Sequence, residues 1–173
     1  MKRKILFTEK VFLTFMWLIL LFMLFHDWID LGPFNDLEGI RAQNTTEELI
    51  LITGINVASI GIILLLAHLF AGKTYPLWVK LWLVIHPSCV FAGALSAWWI
   101  PYFFGTDADM VERYEIMFGD THSFLPERNG ITVNTIHVLF HSMLLFCIFL
   151  AFFISFVQKR KMEKDQKKKI GFY

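Results

Sequence analysis

Asn134, His137 and His141 are the residues of this chain whose types and spacing could do chemistry. They stand at i, i+3 and i+7, which places them on one stripe of a helix. Two imidazoles one helical turn apart can share a metal ion. The residues that could supply a third ligand are His26, Asp27, His122 and Asp120. The simpler interpretation is that these histidines make hydrogen bonds between helices, because the spacing lacks the Glu of the HExxH zinc-protease motif.

A haem is the other cofactor that histidines could hold. It needs two of them on facing helices at similar depth, and His26 with either His137 or His141 meets that requirement loosely. The chain shows no nucleophile elbow, no phosphate-cradling glycine loop and no Ser-His-Asp order. The motifs therefore leave open whether the protein is an enzyme.

The elements that must position these residues are four apolar runs. A chain of 173 residues with 56% hydrophobic residues and a mean hydropathy of +0.55 has more apolar surface than one soluble domain of this size can bury. A membrane-spanning helix needs roughly 20 apolar residues. We expect an all-α integral membrane four-helix bundle forming one domain over residues 1–158, followed by a basic tail over 159–173. The predicted spans are 8–28, 47–70, 77–100 and 133–157.

The charges of the connecting segments indicate the orientation. Most of the 16 Lys and Arg residues lie at the two ends or in the short connection 72–80, and the exceptions are Arg41, Arg113 and Arg128. The longer connections, 26–48 and 101–132, carry most of the acids. By the positive-inside rule both termini are cytoplasmic and the two longer loops face out. Anionic lipid would attract the basic tail in a generic way, and nothing in the chain suggests nucleic-acid binding.

Polar side chains at membrane depth must be paired or line a wet cavity. We therefore expect the outer half of the bundle to hold a polar and aromatic pocket, with walls of Trp and Phe. The residues predicted to form it are Asn56, Asn134, His137, His141, Trp98 and Trp99. The amphipathic segment 107–118 would either lie along the headgroups or cover the mouth of the bundle.

Small residues predict where helices approach one another. Gly54 and Ala58 in the second span are spaced for close helix contact, in this chain or in a homodimer. In the third span, a stripe of small or polar residues is expected to face protein, and it consists of His86, Cys89, Gly93 and Ala97. The segment HDWIDLGPFND offers no small-residue cleavage site, so we expect the first apolar run to be retained as a helix.

Three segments carry a resemblance to a known family. HDWIDLGPFND, AWWIPYFFG and RYEIMFGDTHSFLPERNGITVNTIHVLFH resemble those of an uncharacterised family of short four-span bacterial integral membrane proteins, over about residues 26 to 141. The resemblance implies a bacterial plasma-membrane location. It brings no activity with it, so no functional residue is carried over.

Two functions compete at this point. One is a plasma-membrane protein that binds a lipophilic small molecule or a membrane partner in the outward-facing pocket. The other is a metal- or haem-dependent membrane enzyme that uses the histidines. A transporter is least supported, because the spans show neither an internal repeat nor an intramembrane acid.

Overall fold

The structure, a computed structural model, describes residues 4–158, and most of these residues are helical. The predicted basic tail over 159–173 lies outside the described residues. Two π-helical segments, Leu95–Trp99 and Phe153–Gln158, extend the third and fourth long helices. The α-helices are α1 (Phe7–Phe25), α2 (Glu38–Gln43), α3 (Thr46–Phe70), α4 (Leu77–Ala94), α5 (Ile100–Phe104), α6 (Ala108–Phe118) and α7 (Thr135–Phe152). The predicted all-α class is confirmed.

Four stretches of the described chain are helical, long and apolar enough to cross a membrane. They are Phe7–Phe25, Thr46–Phe70, Leu77–Phe104 and Thr135–Gln158. The third runs past its predicted end at residue 100, because the π-helical segment leads directly into α5. Large apolar side chains cover the outside of these helices, as lipid-facing surfaces do. The chain is a multi-pass membrane protein.

The bundle core forms where α1 packs against α3 and α7, and α7 packs against α4. Its members are bulky apolar side chains that helical periodicity turns to the inside. The fully buried ones include Met16, Ile19, Ile60, Ile63, Val79, Leu144 and Cys147. Helix α3 begins where the sequence predicts, because Thr45 and Glu48 form a capping box: the Glu48 amide donates to Thr45 Oγ1 over 3.3 Å.

A second, smaller core lies over one end of the bundle. Helices α2 and α6 and residues 119–133 cover this core, and we call these segments the roof. Asp107 caps α6 by accepting a hydrogen bond from the Met110 amide at 2.8 Å. From α6, Tyr114 and Phe118 point down onto Trp98, with ring centroids 4.9 and 4.7 Å away. Of the two interpretations of segment 107–118, the structure therefore selects the one in which it covers the mouth of the bundle.

The expectation that the small-residue stripe of the third span faces protein is wrong for two of its four residues. Cys89 and Gly93 are exposed, and the buried face of α4 instead carries bulky residues such as Leu83. His86 reaches α3 through a 3.0 Å hydrogen bond between its Nε2 and Ser59 Oγ, and the Ala97 carbonyl accepts a hydrogen bond from the Tyr114 hydroxyl of α6. Moving an apolar helix face from lipid into the protein interior brings no gain in hydrophobic free energy. Side-chain polarity is therefore a weak guide to which face of a membrane helix packs against protein.

Candidate functional site

Asn134 fixes both the start of α7 and the position of the first histidine on it. Its Oδ1 accepts a hydrogen bond from the His137 backbone N–H at 3.1 Å, as an N-cap does. The same oxygen lies 2.6 Å from His137 Nδ1. Both side chains are buried, Asn134 completely. The i, i+3 spacing seen in the sequence is therefore a cap that also holds an imidazole.

This geometry decides the tautomer of His137. A backbone N–H can only donate, so the amide oxygen of Asn134 must face it. His137 Nδ1, which meets that same oxygen, must then carry the hydrogen and donate it. Nε2 of His137 is left with its lone pair. On the other side of the amide, Asn134 Nδ2 is buried and has no hydrogen-bond partner among the described residues.

His26 and Asp27 bring the end of α1 to the same place. The His26 ring lies 5.8 Å from that of His137, edge to face. His26 Nδ1 donates to the Phe22 carbonyl at 3.0 Å, and its Nε2 lies 3.2 Å from Asp27 Oδ1. Burial lowers the pKa of His26 and raises the pKa of Asp27, although each group opposes the shift of the other. Because Nδ1 is already a donor to a carbonyl, a proton must sit between Nε2 and Oδ1 for that contact to be attractive.

An aromatic box encloses His137. Trp98 stacks on the imidazole with centroids 4.3 Å apart, and Phe118 and Phe22 approach it edge-on at 5.4 and 5.6 Å. The three aromatic residues come from the third span, the roof and α1. Trp98 was predicted as a wall of the pocket and lies there. Water is largely excluded from His137 as a result.

His141 lies one turn further along α7, with its ring 6.0 Å from that of His137. Its partner is Trp99, whose Nε1–H donates to His141 Nδ1 over 3.2 Å. His141 Nε2 makes no hydrogen bond to a described residue, yet it is not among the side-chain atoms sealed from the surface. His141 is buried, and one of its ring nitrogens is thus engaged while the other has no partner among the described residues.

His141 also forms part of a groove between the third span and α7, which we call the α4–α7 groove. Its volume is about 400 Å³. Apart from His141 and Ser142 its lining is apolar and aromatic. The lining residues are Phe91, Leu95, Trp99, Ile100, Phe103, Phe104, His141, Ser142 and Leu145. Phe104 and Ile100 are exposed on the outer face of the bundle, where lipid would lie, so the groove opens sideways.

Two predicted members stand apart from the histidine cluster. Asn56 is half-buried on α3 and makes no hydrogen bond within the described part of the chain. His122 is exposed in the roof, where its Nδ1 lies 2.8 Å from Thr135 Oγ1 and its ring rests on Phe34. Asp120 next to it is exposed as well. The structure therefore brings together His26, His137 and His141, whereas His122 lies in the roof and Asn56 makes no hydrogen bond to these histidines.

Sequence reasoning missed several residues that shape the cluster. Thr53, not Asn56, is the buried polar residue of α3, and it accepts a 2.9 Å hydrogen bond from the Trp28 indole. Asn35 is buried and donates to the His26 carbonyl, which holds the chain after α1 in place. Phe22 and Phe118 complete the aromatic box. Only Phe118 carried a signal, since it lies on the apolar face of an amphipathic segment.

Within residues 4–158 no group of three or more His, Cys, Asp or Glu side chains could hold a metal ion. At His137, Asn134 occupies Nδ1 and Trp98 stacks on one face of the ring. The same packing gives a porphyrin no plane beside His137. Use of these histidines for a metal or a haem stays a prediction. The chemistry that the arrangement does offer is hydrogen bonding by its imidazoles and a proton shared between His26 and Asp27.

No protein-family model, no curated protein and no solved structure matches the chain. The comparisons therefore neither support nor contradict the resemblance to short four-span membrane proteins. The functional conclusion rests on the residues and their geometry.

Proposed function

We propose that this protein is a multi-pass plasma-membrane protein that binds a lipophilic small molecule in the α4–α7 groove. The single observation that carries the proposal is an apolar, aromatic groove whose lining includes one imidazole, that of His141. Small-molecule sites are concave, mostly apolar and marked by a few polar groups, with volumes of roughly 300–1,000 Å³. The groove volume of about 400 Å³ falls in that range.

The direction of access supports a lipophilic ligand. The rim residues Ile100, Phe103 and Phe104 are exposed on the side of the bundle that faces lipid. A molecule dissolved in the bilayer reaches the groove without crossing water, and the aromatic lining then offers it ring contacts that acyl chains lack. A water-soluble ligand would have to leave its hydration shell at the bilayer surface first, which is unfavourable.

The orientation belongs to the same proposal. With both termini cytoplasmic, as the distribution of Lys and Arg favours, the roof faces out and the groove lies in the outer half of the membrane. A single cysteine introduced at Thr106, in a chain whose Cys89 and Cys147 are replaced by Ser and Ala, would react with a membrane-impermeant maleimide added to intact cells. A cysteine at Lys73 would not. The reverse pattern would contradict this orientation.

Photolabelling tests the binding itself. Adamantane diazirine, a small apolar photoprobe, would label the groove residues of the full-length protein in lipid nanodiscs, and peptide mapping would locate the label. Leu145→Trp fills the groove and should remove the labelling. Leu139→Trp makes the same change on an exposed side of α7 outside the groove and should leave it. Labelling spread evenly over the four spans and unchanged by Leu145→Trp would refute the proposal.

A further inference from the structure

The hydrogen bond between Trp99 and His141 fixes more than the position of the imidazole. An indole N–H can only donate, so His141 Nδ1, which faces it at 3.2 Å, must be the accepting nitrogen. A neutral imidazole that accepts at Nδ1 carries its hydrogen on Nε2. Protonating both nitrogens would set one N–H against another. Trp99 therefore holds His141 as a neutral ring whose Nε2 is a hydrogen-bond donor.

That donor lacks a protein partner. The one hydrogen bond that its ring makes to a described residue is the one from Trp99 to Nδ1, and His141 belongs to the lining of the groove. The rest of the groove lining is apolar except for Ser142. A buried polar group that loses water without gaining a hydrogen bond is destabilised. An acceptor atom on a bound molecule would relieve that loss, so the groove selects for one.

The lining also favours a flat molecule. The rings of Trp99 and Phe103 lie 6.0 Å apart and nearly parallel, at 22°. Phe91 and Phe104 add further aromatic surface to the same groove. Aromatic rings in offset stacking or edge-to-face contact attract one another beyond the effect of burying their area. No Lys or Arg belongs to the lining, so an anionic headgroup would lose its hydration there without a counter-charge.

We propose that the groove recognises an aromatic ring compound through a carbonyl oxygen, which accepts a hydrogen bond from Nε2–H of His141. This inference rests on the proposed function and adds the chemical class of the ligand. His141 is the specificity-determining group, and Trp99 is a positioning residue that acts through it.

A matched pair of probes tests the role of the carbonyl. Fluorenone and fluorene have the same three-ring shape and differ in a C=O and a CH₂ group. Their binding to the full-length protein in nanodiscs is measured by equilibrium partition, with empty nanodiscs of the same lipid as the reference. We expect fluorenone to bind about tenfold more tightly, since one hydrogen bond that also satisfies a desolvated donor contributes about 1.4 kcal/mol. Equal binding of the two probes would overturn the inference.

Variants locate the preference at His141. In His141→Phe the tenfold preference should disappear while fluorene still binds. Trp99→Phe leaves His141 in place but removes the donor that fixes its tautomer, so the preference should fall to a few-fold. His68→Phe is the matched control, because His68 lies on α3 outside the groove and bonds to the Leu64 carbonyl. A preference that persists in His141→Phe would overturn the inference.

A spectroscopic readout keeps the inference testable if a variant fails to fold. In the wild-type protein labelled with ¹⁵N-histidine, His141 should show a protonated Nε2 and an unprotonated Nδ1, and the Nε2 signal should shift with fluorenone but not with fluorene. A protonated Nδ1 would overturn the inference. The two proposals fail differently: if neither probe binds and the groove is not photolabelled, the proposed function fails, whereas equal binding of both probes removes only the carbonyl preference.

Discussion

Gly39 is the point at which the roof depends on the absence of a side chain. It lies in α2 against the backbone of α6, where a Cβ would overlap the Ile116 carbonyl oxygen and come within 2.9 Å of Met117 Cα. These are backbone atoms, so no side-chain rotation can relieve the overlap. Gly39→Ala should therefore push α2 away from α6, at a cost of about 1–3 kcal/mol, as for other overpacked sites.

Gly54→Ala is the matched control for this change. A Cβ at Gly54 of α3 would meet nothing within 4 Å. Both substitutions gain the higher helix propensity of Ala, about 1 kcal/mol, so this contribution cancels when the two variants are compared. The difference between them isolates the overlap with α6.

Trypsin provides the assay, because Arg113 lies in the middle of α6 and is cleaved only when that helix opens. A loss of 1–3 kcal/mol in the docking of the roof raises the opened fraction about 5- to 150-fold. Cleavage after Arg113 in the detergent-solubilised protein should become faster by that factor in Gly39→Ala and stay unchanged in Gly54→Ala. Equal cleavage rates in the two variants would refute the tight contact between α2 and α6.

Three further predictions concern the roof and the residues beneath it. Trp28→Phe and Thr53→Val should show a coupling free energy of about 0.5–1.5 kcal/mol in a double-mutant cycle of unfolding, and purely additive effects would contradict their hydrogen bond. Asn134→Ala should destabilise the protein by about 1–3 kcal/mol, because it removes the cap of α7 and leaves the buried His137 Nδ1–H without an acceptor. A thermal unfolding curve identical to that of the wild type would contradict this role of Asn134. Burial raises the pKa of Tyr114 to about 12. The neutral phenol therefore contributes its full stabilisation below pH 10, and this contribution is lost as the pH rises toward 12. The phenolate absorbance of the wild-type protein should show a late-titrating tyrosine that Tyr114→Phe lacks, and the persistence of this late titration in Tyr114→Phe would contradict the assignment.

The sequence determined the features that depend on neighbours a few residues apart. Hydropathy over about 20 residues located the four spans, because a helix crossing lipid must be apolar along its whole length. The Thr45–Glu48 spacing located the start of α3 for an equally local reason. The stripe of Asn134, His137 and His141 was likewise readable, since helical periodicity alone places these residues on one side of α7.

Only the tertiary structure decided which partners that stripe meets. Phe22, Phe118 and His26 reach His137 from segments far apart in the chain, and the same docking leaves His122 outside the cluster. Nor could polarity patterns tell which face of α4 packs, because lipid and protein interior are equally apolar surroundings. Hydropathy, capping spacing and helical periodicity specified the helices and their ends. The contacts between helices depend on how the shapes of their side chains fit together, and a pattern of polarity along the chain does not contain that information.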